Sequence, residues 1–150
     1  MSIDNDIQQS RFKSEHQRAM VNLIYTYNWT TEQLKQLLDK EDLTMQQFNI
    51  LRILRGSDKP LSTLQIRERL LDKMSDTSRI VDRLVLKGLV KKNVCKADKR
   101  LVDVNISEKG KKLLQKLDLQ EDKIEAIVGA LSESEAQTLN TLLDKIRHSQ

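Results

Sequence analysis

The sequence predicts a mainly α-helical protein with one small β-hairpin. Glycine and proline are scarce, with 4 Gly and 1 Pro in 150 residues, so few irregular stretches are expected to interrupt helices. Apolar residues recur at helical spacing over most of the chain. Shortly after residue 100 the period changes to two, because Val102, Val104 and Ile106 alternate with polar residues as in a half-buried strand.

The starts of several helices can be read from capping boxes, in which Ser or Thr is followed three residues later by Gln or Glu. These pairs are Thr30 with Gln33, Thr44 with Gln47, Ser62 with Gln65 and Ser132 with Glu135. An earlier helix is predicted from Asp6 to about Asn28 by its apolar spacing. Gly56, with a proline shortly beyond, predicts the end of the helix that follows Thr44.

A pair of short helices is predicted after Gly56. The first runs from Leu64 to Leu71. Ser75 is expected to cap the second, which runs to about Lys87 and ends at Gly88. The residues expected to face inward on the second helix are Ile80, Val81, Leu84 and Val85. Two short helices joined by a brief turn form a helix-turn-helix.

The predicted hairpin pairs the alternating strand after residue 101 with a strand over Leu89 to Val94. An isolated two-stranded hairpin is marginal in water, so it is expected to pack on the preceding helices. Ser107 is expected to start a long helix, and a last helix follows Ser132. The residues expected to face inward on the long helix are Leu113, Leu114, Leu117, Ile124, Ile127, Val128 and Leu131. The predicted elements therefore follow the order of a winged helix, in which a helix-turn-helix is followed by a hairpin.

Charge is distributed unevenly along the chain. Residues 55–112 contain 16 Lys and Arg against 8 Asp and Glu, a local net charge of +8, while the remainder has a net charge of −4. A basic central region favours a polyanionic partner; the alternative is a chance imbalance on solvated faces. Aromatic content of 3% is too low for a protein that binds single-stranded nucleic acid by base stacking.

Several other classes of protein are disfavoured because the sequence lacks their characteristic residues and segments. One Cys and 2 His argue against a disulfide or a cysteine-based zinc site, and no cofactor is expected. No nucleophile–base pair, phosphate loop or pair of catalytic carboxylates can be recognised, so the protein is not expected to be an enzyme. No secretion signal and no apolar run of membrane-spanning length is seen, which predicts a cytoplasmic protein without a membrane partner.

The second helix of a helix-turn-helix presents its N-terminal turn to the major groove of double-stranded DNA. Its small hydroxyl residues can approach phosphates and base edges, and its arginines can bind a guanine edge or a phosphate. The candidate recognition residues are Ser75, Asp76, Thr77, Ser78, Arg79 and Arg83. Each has a simpler alternative: Ser75 as a helix cap, Asp76 as a partner of the helix dipole, and the arginines as a solvated face.

The hairpin tip reads KADKR, and its candidate DNA-binding residues are Lys96, Asp98, Lys99 and Arg100. An arginine at this tip suits a narrow, electronegative minor groove. Asp98 would repel a phosphate, so we expect it to orient the Arg100 guanidinium; it is also a common turn residue. Cys95 lies beside Lys92 and Lys96, which suggests redox sensing as a further hypothesis.

The sequence resembles the MarR-type winged-helix transcriptional regulators. The similarity spans nearly the whole chain as a single unit, residues 1–150, and is strongest from Leu43 to Leu114. The matching segments are LTMQQFNILRIL, LSTLQIRERL, TSRIVDRLVLKGLVKK, DKRLVDVNIS and EKGKKLL. The resemblance implies a homodimer on a palindromic operator, with residues 1–42 and 108–150 as the helical dimerisation region and residues 43–107 as the winged helix-turn-helix. It also implies that Asp98 orients Arg100 in the minor groove.

The resemblance further implies a regulator, expected to be a repressor, that a small lipophilic or phenolic effector releases from DNA. The candidate effector pocket residues are His16, Tyr25, Tyr27, Trp29 and Phe48, for which packing is the alternative role. Oxidation-sensing members carry their cysteine near the N-terminus, unlike Cys95. Arg67 replaces the small alanine usual in the family; either its side chain points outward and adds a phosphate contact, or the helix pair packs differently.

Two other functions are also compatible with the sequence. A DNA-binding protein of the same fold can act by occupancy alone, without a ligand. A winged helix can also serve as a protein-interaction module, although the basic recognition turn and wing argue against this role. Salt titration separates the two, since phosphate contacts make binding fall steeply with ionic strength.

Overall fold

The computed structural model describes residues 2–94, 96–98 and 102–148. Cys95, Lys99 and Arg100 lie outside these residues, so their predicted roles stay predictions. The described part of the chain is mainly helical and contains one two-stranded antiparallel sheet, which confirms the predicted fold class. The chain divides into two compact units, residues 1–44 and residues 45–150.

The first unit contains helices α1 (Ile3–Asp6) and α2 (Glu15–Asp39). An ion pair joins them, in which Arg18 Nη2 donates to Asp4 Oδ2 over 2.9 Å. The predicted helix over residues 6–28 is therefore wrong at its N-terminal end, because α1 already ends at residue 6 and α2 starts nine residues later.

Helix α2 continues through Thr30, where the sequence predicted the start of a separate helix. The Thr30 hydroxyl donates to the main-chain oxygens of Thr26 and Tyr27, each over 2.9 Å, and Thr31 likewise bonds to Tyr27. A threonine that bonds back to the preceding helical turn does not cap a new one. The apparent capping box at Thr30 is therefore part of a continuous helix.

One side of α2 carries large apolar residues that remain exposed. They are Met20, Leu23, Ile24 and Tyr27. Their spacing places them on one face of the helix. Soluble monomers rarely leave a contiguous apolar surface of this kind uncovered, so this face is suited to contact with another protein surface.

The second unit contains the remaining elements. In chain order they are α3 (Met45–Arg55), α4 (Thr63–Arg69), α5 (Thr77–Leu86), β1 (Val90–Val94), β2 (Val102–Ile106), α6 (Glu108–Asp118), α7 (Glu121–Glu125), a 3-10 turn (Ala126–Val128) and α8 (Glu133–His148). Helix α3 begins directly after Thr44 and ends before Gly56, as predicted. The predicted capping box at the start of α4 is confirmed: Gln65 N–H donates to Ser62 Oγ and Ser62 N–H to Gln65 Oε1.

The core of this unit is built from side chains of α3, α4, α5, β2 and α6. Its fully buried members are Ile50, Leu51, Ile66, Val81, Leu84, Val104 and Leu114. The hairpin strands pair antiparallel, with Val90 opposite Ile106. Leu61 exchanges two main-chain hydrogen bonds with Val104, of 3.1 and 2.8 Å. The hairpin is therefore anchored to the segment before α4, and it packs on the helices as predicted.

A tight junction connects α5, the hairpin and α6. Gly88 ends α5 with a left-handed φ of +73°, which favours glycine. The Ser107 hydroxyl donates to Gly88 O over 2.6 Å and accepts from Gly110 N–H over 3.1 Å. A Cβ atom on Gly110 would lie 2.3 Å from Leu89 O and 2.8 Å from Ile106 Cγ1. The strand and the helix can approach this closely only because residue 110 has no side chain.

The predicted long helix after Ser107 is interrupted. Helix α6 ends at Asp118, and Gln120 N–H donates to Leu117 O over 2.8 Å, a short-range bond of the kind that closes a helix. The sequence here contains neither Gly nor Pro that would predict the end. Val128 and Leu131, expected to face inward, are 52% and 39% exposed.

Helix α8 begins with the predicted capping box between Ser132 and Glu135, whose two hydrogen bonds measure 2.8 and 3.3 Å. The hydrogen bonds from the Ser132 main chain and then its side chain hold the pKa of Glu135 below its usual value. Because the folded-state pKa is depressed, any stability from this cap is present above the unfolded pKa and is lost as the pH falls through the folded pKa. Further along, α8 leaves Leu139, Leu142 and Ile146 exposed on one face.

Candidate nucleic-acid interface

Side chains around Asp72 fix the turn between α4 and α5. Asp72 Oδ1 accepts a hydrogen bond from Met74 N–H over 3.0 Å, and Oδ2 accepts from the Ser75 hydroxyl over 2.8 Å. Asn49 on α3 contributes from outside the turn, since its Oδ1 accepts from Leu71 N–H over 3.1 Å. These bonds hold the two helices of the pair in one arrangement. The roles of Asp72 and Asn49 were not predicted from the sequence.

Asp76, and not Ser75 as predicted, caps α5. Asp76 Oδ1 accepts from Arg79 N–H over 3.2 Å. The Ser75 hydroxyl is directed to the turn carboxylate of Asp72 instead. The prediction failed because both residue types are good caps, and which of them is used depends on the path of the turn.

Substituting Asp76 by Ala is expected to lower the free energy of unfolding by about 0.5–2 kcal/mol, the usual cost of losing a helix cap. Asp76→Asn is the matched control, because an amide oxygen can also accept the Arg79 N–H bond. Denaturant titration of the two variants and the wild type measures both effects. An Ala variant as stable as the wild type would show that the cap contributes nothing.

Helix α5 has one buried face and one exposed face. Val81 and Leu84 are fully buried, while Ser78, Arg79 and Arg83 are exposed as predicted. Two expectations for this helix are wrong. Val85, predicted inward, is 37% exposed, and Thr77, predicted to approach DNA, is 6% exposed. The buried Thr77 hydroxyl has no hydrogen-bond partner among the described residues.

The guanidinium groups of Arg79 and Arg83 are available to an external partner. Arg79 Nε lies 3.9 Å from Asp76 Oδ2, at the limit of an ion pair, and the Arg79 side chain remains 70% exposed. In the described part of the chain, no hydrogen bond or ion pair engages the Arg83 side chain. An exposed guanidinium can donate two parallel hydrogen bonds to a phosphate or to a guanine edge.

The wing is joined to α5 by an ion pair that was not predicted from the sequence. Lys92 Nζ on β1 donates to Asp82 Oδ1 on α5 over 2.9 Å. The two residues lie on different elements, so no local spacing rule predicts their contact. At the wing tip, Lys96 is exposed and Asp98 is half-buried. The predicted role of Asp98 in orienting a tip arginine is untested, because that arginine lies outside the described residues.

A cleft of about 420 Å³ lies between α4 and the start of α5. Its lining residues are Thr63, Leu64, Arg67, Met74, Ser75, Asp76, Thr77 and Ser78. Arg67 is exposed, while Ile66 on the same helix and Leu70 at its C-cap are buried. Of the two alternatives for Arg67, the structure therefore has the outward side chain, and the helix pair packs through its neighbours.

The residues proposed for an effector pocket are distributed over both units. In the first unit, His16, Tyr25, Tyr27 and Trp29 are exposed on α2. In the second unit, Phe48 is buried, and the Arg52 guanidinium carbon lies 5.5 Å from its ring centroid. This contact is a cation–π interaction, which favours a packing role for the phenylalanine.

The described residues contain neither a metal cluster nor a membrane-spanning helix. Within residues 2–94, 96–98 and 102–148, no group of three or more His, Cys, Asp and Glu side chains is arranged to hold a metal ion. None of the helices described in the same part of the chain combines the length and the apolar character that crossing a membrane requires.

Residues 41–101 match the model of the MarR family. A MarR transcription factor of known structure from Planctomyces limnophilus is 32% identical, with a TM-score of 0.67, over 89% of this chain and 98% of that one. Such identity over nearly the full length indicates common ancestry as well as a common fold.

Two more distant structures share the fold. A mutant of MarR from E. coli, complexed with operator DNA, has a TM-score of 0.77 and 23% identity over 97% of this chain and 99% of its own. BpsR from Bordetella bronchiseptica, whose DNA binding is regulated by 6-hydroxynicotinic acid, has a TM-score of 0.80 and 20% identity, over 94% and 100%. With its helix-turn-helix, its wing and this relationship, the chain belongs to the MarR family of winged-helix transcription regulators.

Proposed function

We propose that this protein is a transcriptional repressor that binds double-stranded DNA as a homodimer on a palindromic operator. The proposal rests on the exposed face of α5, where Arg79 and Arg83 lie opposite the buried Val81 and Leu84. The exposed Ser78 precedes Arg79 in the first turn of the same helix. A helix of this composition at the second position of a helix-turn-helix enters the major groove. The local net charge of +8 over residues 55–112 provides the attraction to the phosphate backbone.

A distinct task falls to each of Arg79, Arg83 and Ser78 in this proposal. Arg79 and Arg83 bind base edges or phosphates through paired N–H donors. Ser78 is small enough to let the helix approach the DNA closely and can donate to a phosphate. Asp76 acts indirectly, because it caps α5 and lies beside Arg79. The tip residues Lys96, Lys99 and Arg100 contact the backbone and the minor groove, with Asp98 orienting the arginine.

Dimer formation is supported by exposed apolar faces near both chain ends. On α2 the face includes Ile24 and Tyr27, and on α8 it includes Leu142 and Ile146. A second copy of the chain would remove these faces from water, which is favourable in proportion to the apolar area buried. A two-fold symmetric dimer presents two recognition helices and therefore reads two half-sites about one helical turn apart.

Repression follows from occupancy, since a dimer bound at a promoter excludes other proteins from the same duplex. A small lipophilic or phenolic effector would release it, by analogy with BpsR, whose DNA binding is regulated by 6-hydroxynicotinic acid. His16, Tyr25, Tyr27, Trp29 and Phe48 are the candidate residues for that effector. Regulation by occupancy alone is the alternative, and a protein that no compound releases from its operator would favour it.

The proposal is tested by selecting bound duplexes from a random pool and measuring their affinity as the salt concentration increases. A palindromic consensus is expected, with binding that weakens steeply with salt because phosphate contacts release counterions. Small molecules are then screened for release of the selected duplex. Enrichment of no sequence, together with binding insensitive to salt, would contradict the proposal and favour a protein-interaction module.

Arg100→Ala is expected to weaken binding of the selected duplex by about 1–3 kcal/mol, the scale of one specific contact. Binding of unrelated duplexes should change less, because a minor-groove arginine reads groove width and sequence. Arg11→Ala is the control, since it removes the same charge from the first unit. Fluorescence anisotropy with both duplexes gives the affinities; equal affinities for Arg100→Ala and wild type would exclude the wing arginine from specific binding.

A further inference from the structure

Arg67 is an exposed cation at the mouth of the α4–α5 cleft. Among the described residues, no hydrogen bond or ion pair engages its side chain. The carboxylate in the cleft lining is that of Asp76, and it is already used: Oδ1 accepts from Arg79 N–H, and Oδ2 lies 3.9 Å from Arg79 Nε. The guanidinium of Arg67 therefore keeps its N–H donors for an external acceptor.

Arg67 makes no contribution to the core that would explain its presence. The packing positions are Ile66 on α4 and Leu70 at its C-cap, which are 0% and 3% exposed. Helical geometry places Arg67 about 100° around the axis from the first of these, on the side that lines the cleft. The side chain is thus held on a rigid, capped helix and directed away from the protein interior.

The surroundings of Arg67 favour an anionic oxygen ligand. Ser78, which is exposed in the first turn of α5, lines the same cleft. Its hydroxyl can donate a hydrogen bond. In a helix-turn-helix the first helix crosses the sugar-phosphate backbone while the second enters the major groove. A side chain between the two, facing outward, therefore lies at the edge of the groove, where the backbone phosphates are.

We propose that Arg67 binds a DNA backbone phosphate at the mouth of the α4–α5 cleft and thereby adds sequence-independent affinity. This inference rests on the proposed function, because it requires that α5 is the recognition helix. A planar guanidinium suits this position, since it can bind a phosphate through two parallel hydrogen bonds, whereas a lysine would bind only as a point charge.

The test measures affinity for the selected duplex and for a scrambled duplex over a series of KCl concentrations. In Arg67→Ala, the slope of log K against log salt is expected to become shallower by about 1 for each phosphate that the variant no longer binds, and both duplexes should weaken by the same factor. Arg67→Lys should retain most of the slope but bind more weakly than the wild type, because it keeps the charge without the paired hydrogen bonds.

Arg69→Ala is the matched control, because Arg69 is exposed on the same helix about 200° around the axis from Arg67. For Arg69→Ala, the slope of log K against log salt should equal that of the wild type. A slope unchanged in Arg67→Ala, or reduced equally in both alanine variants, would overturn the assignment of Arg67 to a phosphate. An effect confined to the selected duplex would also overturn it, since a phosphate contact carries no sequence information. A wild-type protein without salt-dependent duplex binding would instead overturn the proposed function and this inference with it.

Discussion

Gly110→Ala is expected to lower the free energy of unfolding by about 3 kcal/mol, at the upper end of the range for over-packing. The added methyl group would lie 2.3 Å from Leu89 O and 2.8 Å from Ile106 Cγ1. Leu89 O cannot move freely, because it accepts a hydrogen bond from Ser107 N–H over 3.0 Å. Helix α6 would have to move away from the strand, which would also break the hydrogen bonds of Ser107 that join the hairpin to both neighbouring helices.

The measurement is chemical denaturation of the full chain, with Gly56→Ala as the matched control. A Cβ atom on Gly56 would lie 3.5 Å from Arg52 O, an ordinary contact, so this variant should be as stable as the wild type or more stable by about 0.4–1 kcal/mol. If Gly110→Ala and Gly56→Ala have the same stability, the close approach of α6 to the hairpin is not a constraint on the fold.

Leu142→Glu is expected to dissociate the proposed dimer, raising its dissociation constant by about 100-fold or more. Leu142 is 53% exposed in the single chain, so the substitution should leave the protomer folded. In a dimer it removes an apolar side chain worth about 1.5–3 kcal/mol of burial from each protomer and forces a carboxylate out of water. Every 1.4 kcal/mol changes the constant tenfold.

Sedimentation at micromolar concentration measures the association of this variant, and circular dichroism checks its helix content. Asn140→Glu introduces the same charge on the same helix, about 200° around the axis from Leu142, and should remain dimeric. Operator affinity should fall together with dimerisation, because two half-sites are no longer bound at once. If Leu142→Glu and Asn140→Glu sediment alike, the exposed face of α8 is not the dimer interface.

Many of the local elements could be predicted because their signals lie within a few residues of one another. The capping box between Ser62 and Gln65 is present with both of its hydrogen bonds. The alternation of apolar and polar residues around Val104 correctly predicted a strand, and the central residue of that strand is buried. The exposed face of α5 with Arg79 and Arg83 was also predicted, since helical periodicity separates it from the buried Val81 and Leu84.

The errors occurred where one local pattern is compatible with two structures. Thr30 matches a capping box, but its hydroxyl bonds to the preceding turn of a continuous helix. Ser75 and Asp76 are both good caps, and the hydrogen bond from Ser75 to Asp72 decides between them. Thr77 looks suited to approach DNA, yet it is buried, because the start of α5 faces the protein at that position.

Four features of this protein follow from the sequence alone. They are the pair of short helices α4 and α5, the hairpin after them, the basic central region and the exposed arginines of α5. These properties depend on periodicity, capping and charge, all of which act over short distances along the chain. Three other features can be seen only in the folded protein: Lys92 pairs with Asp82, Gly110 must lack a side chain, and Arg67 points outward beside the start of α5. Each of these features depends on how close two elements approach, and residues far apart in the chain set that distance through packing.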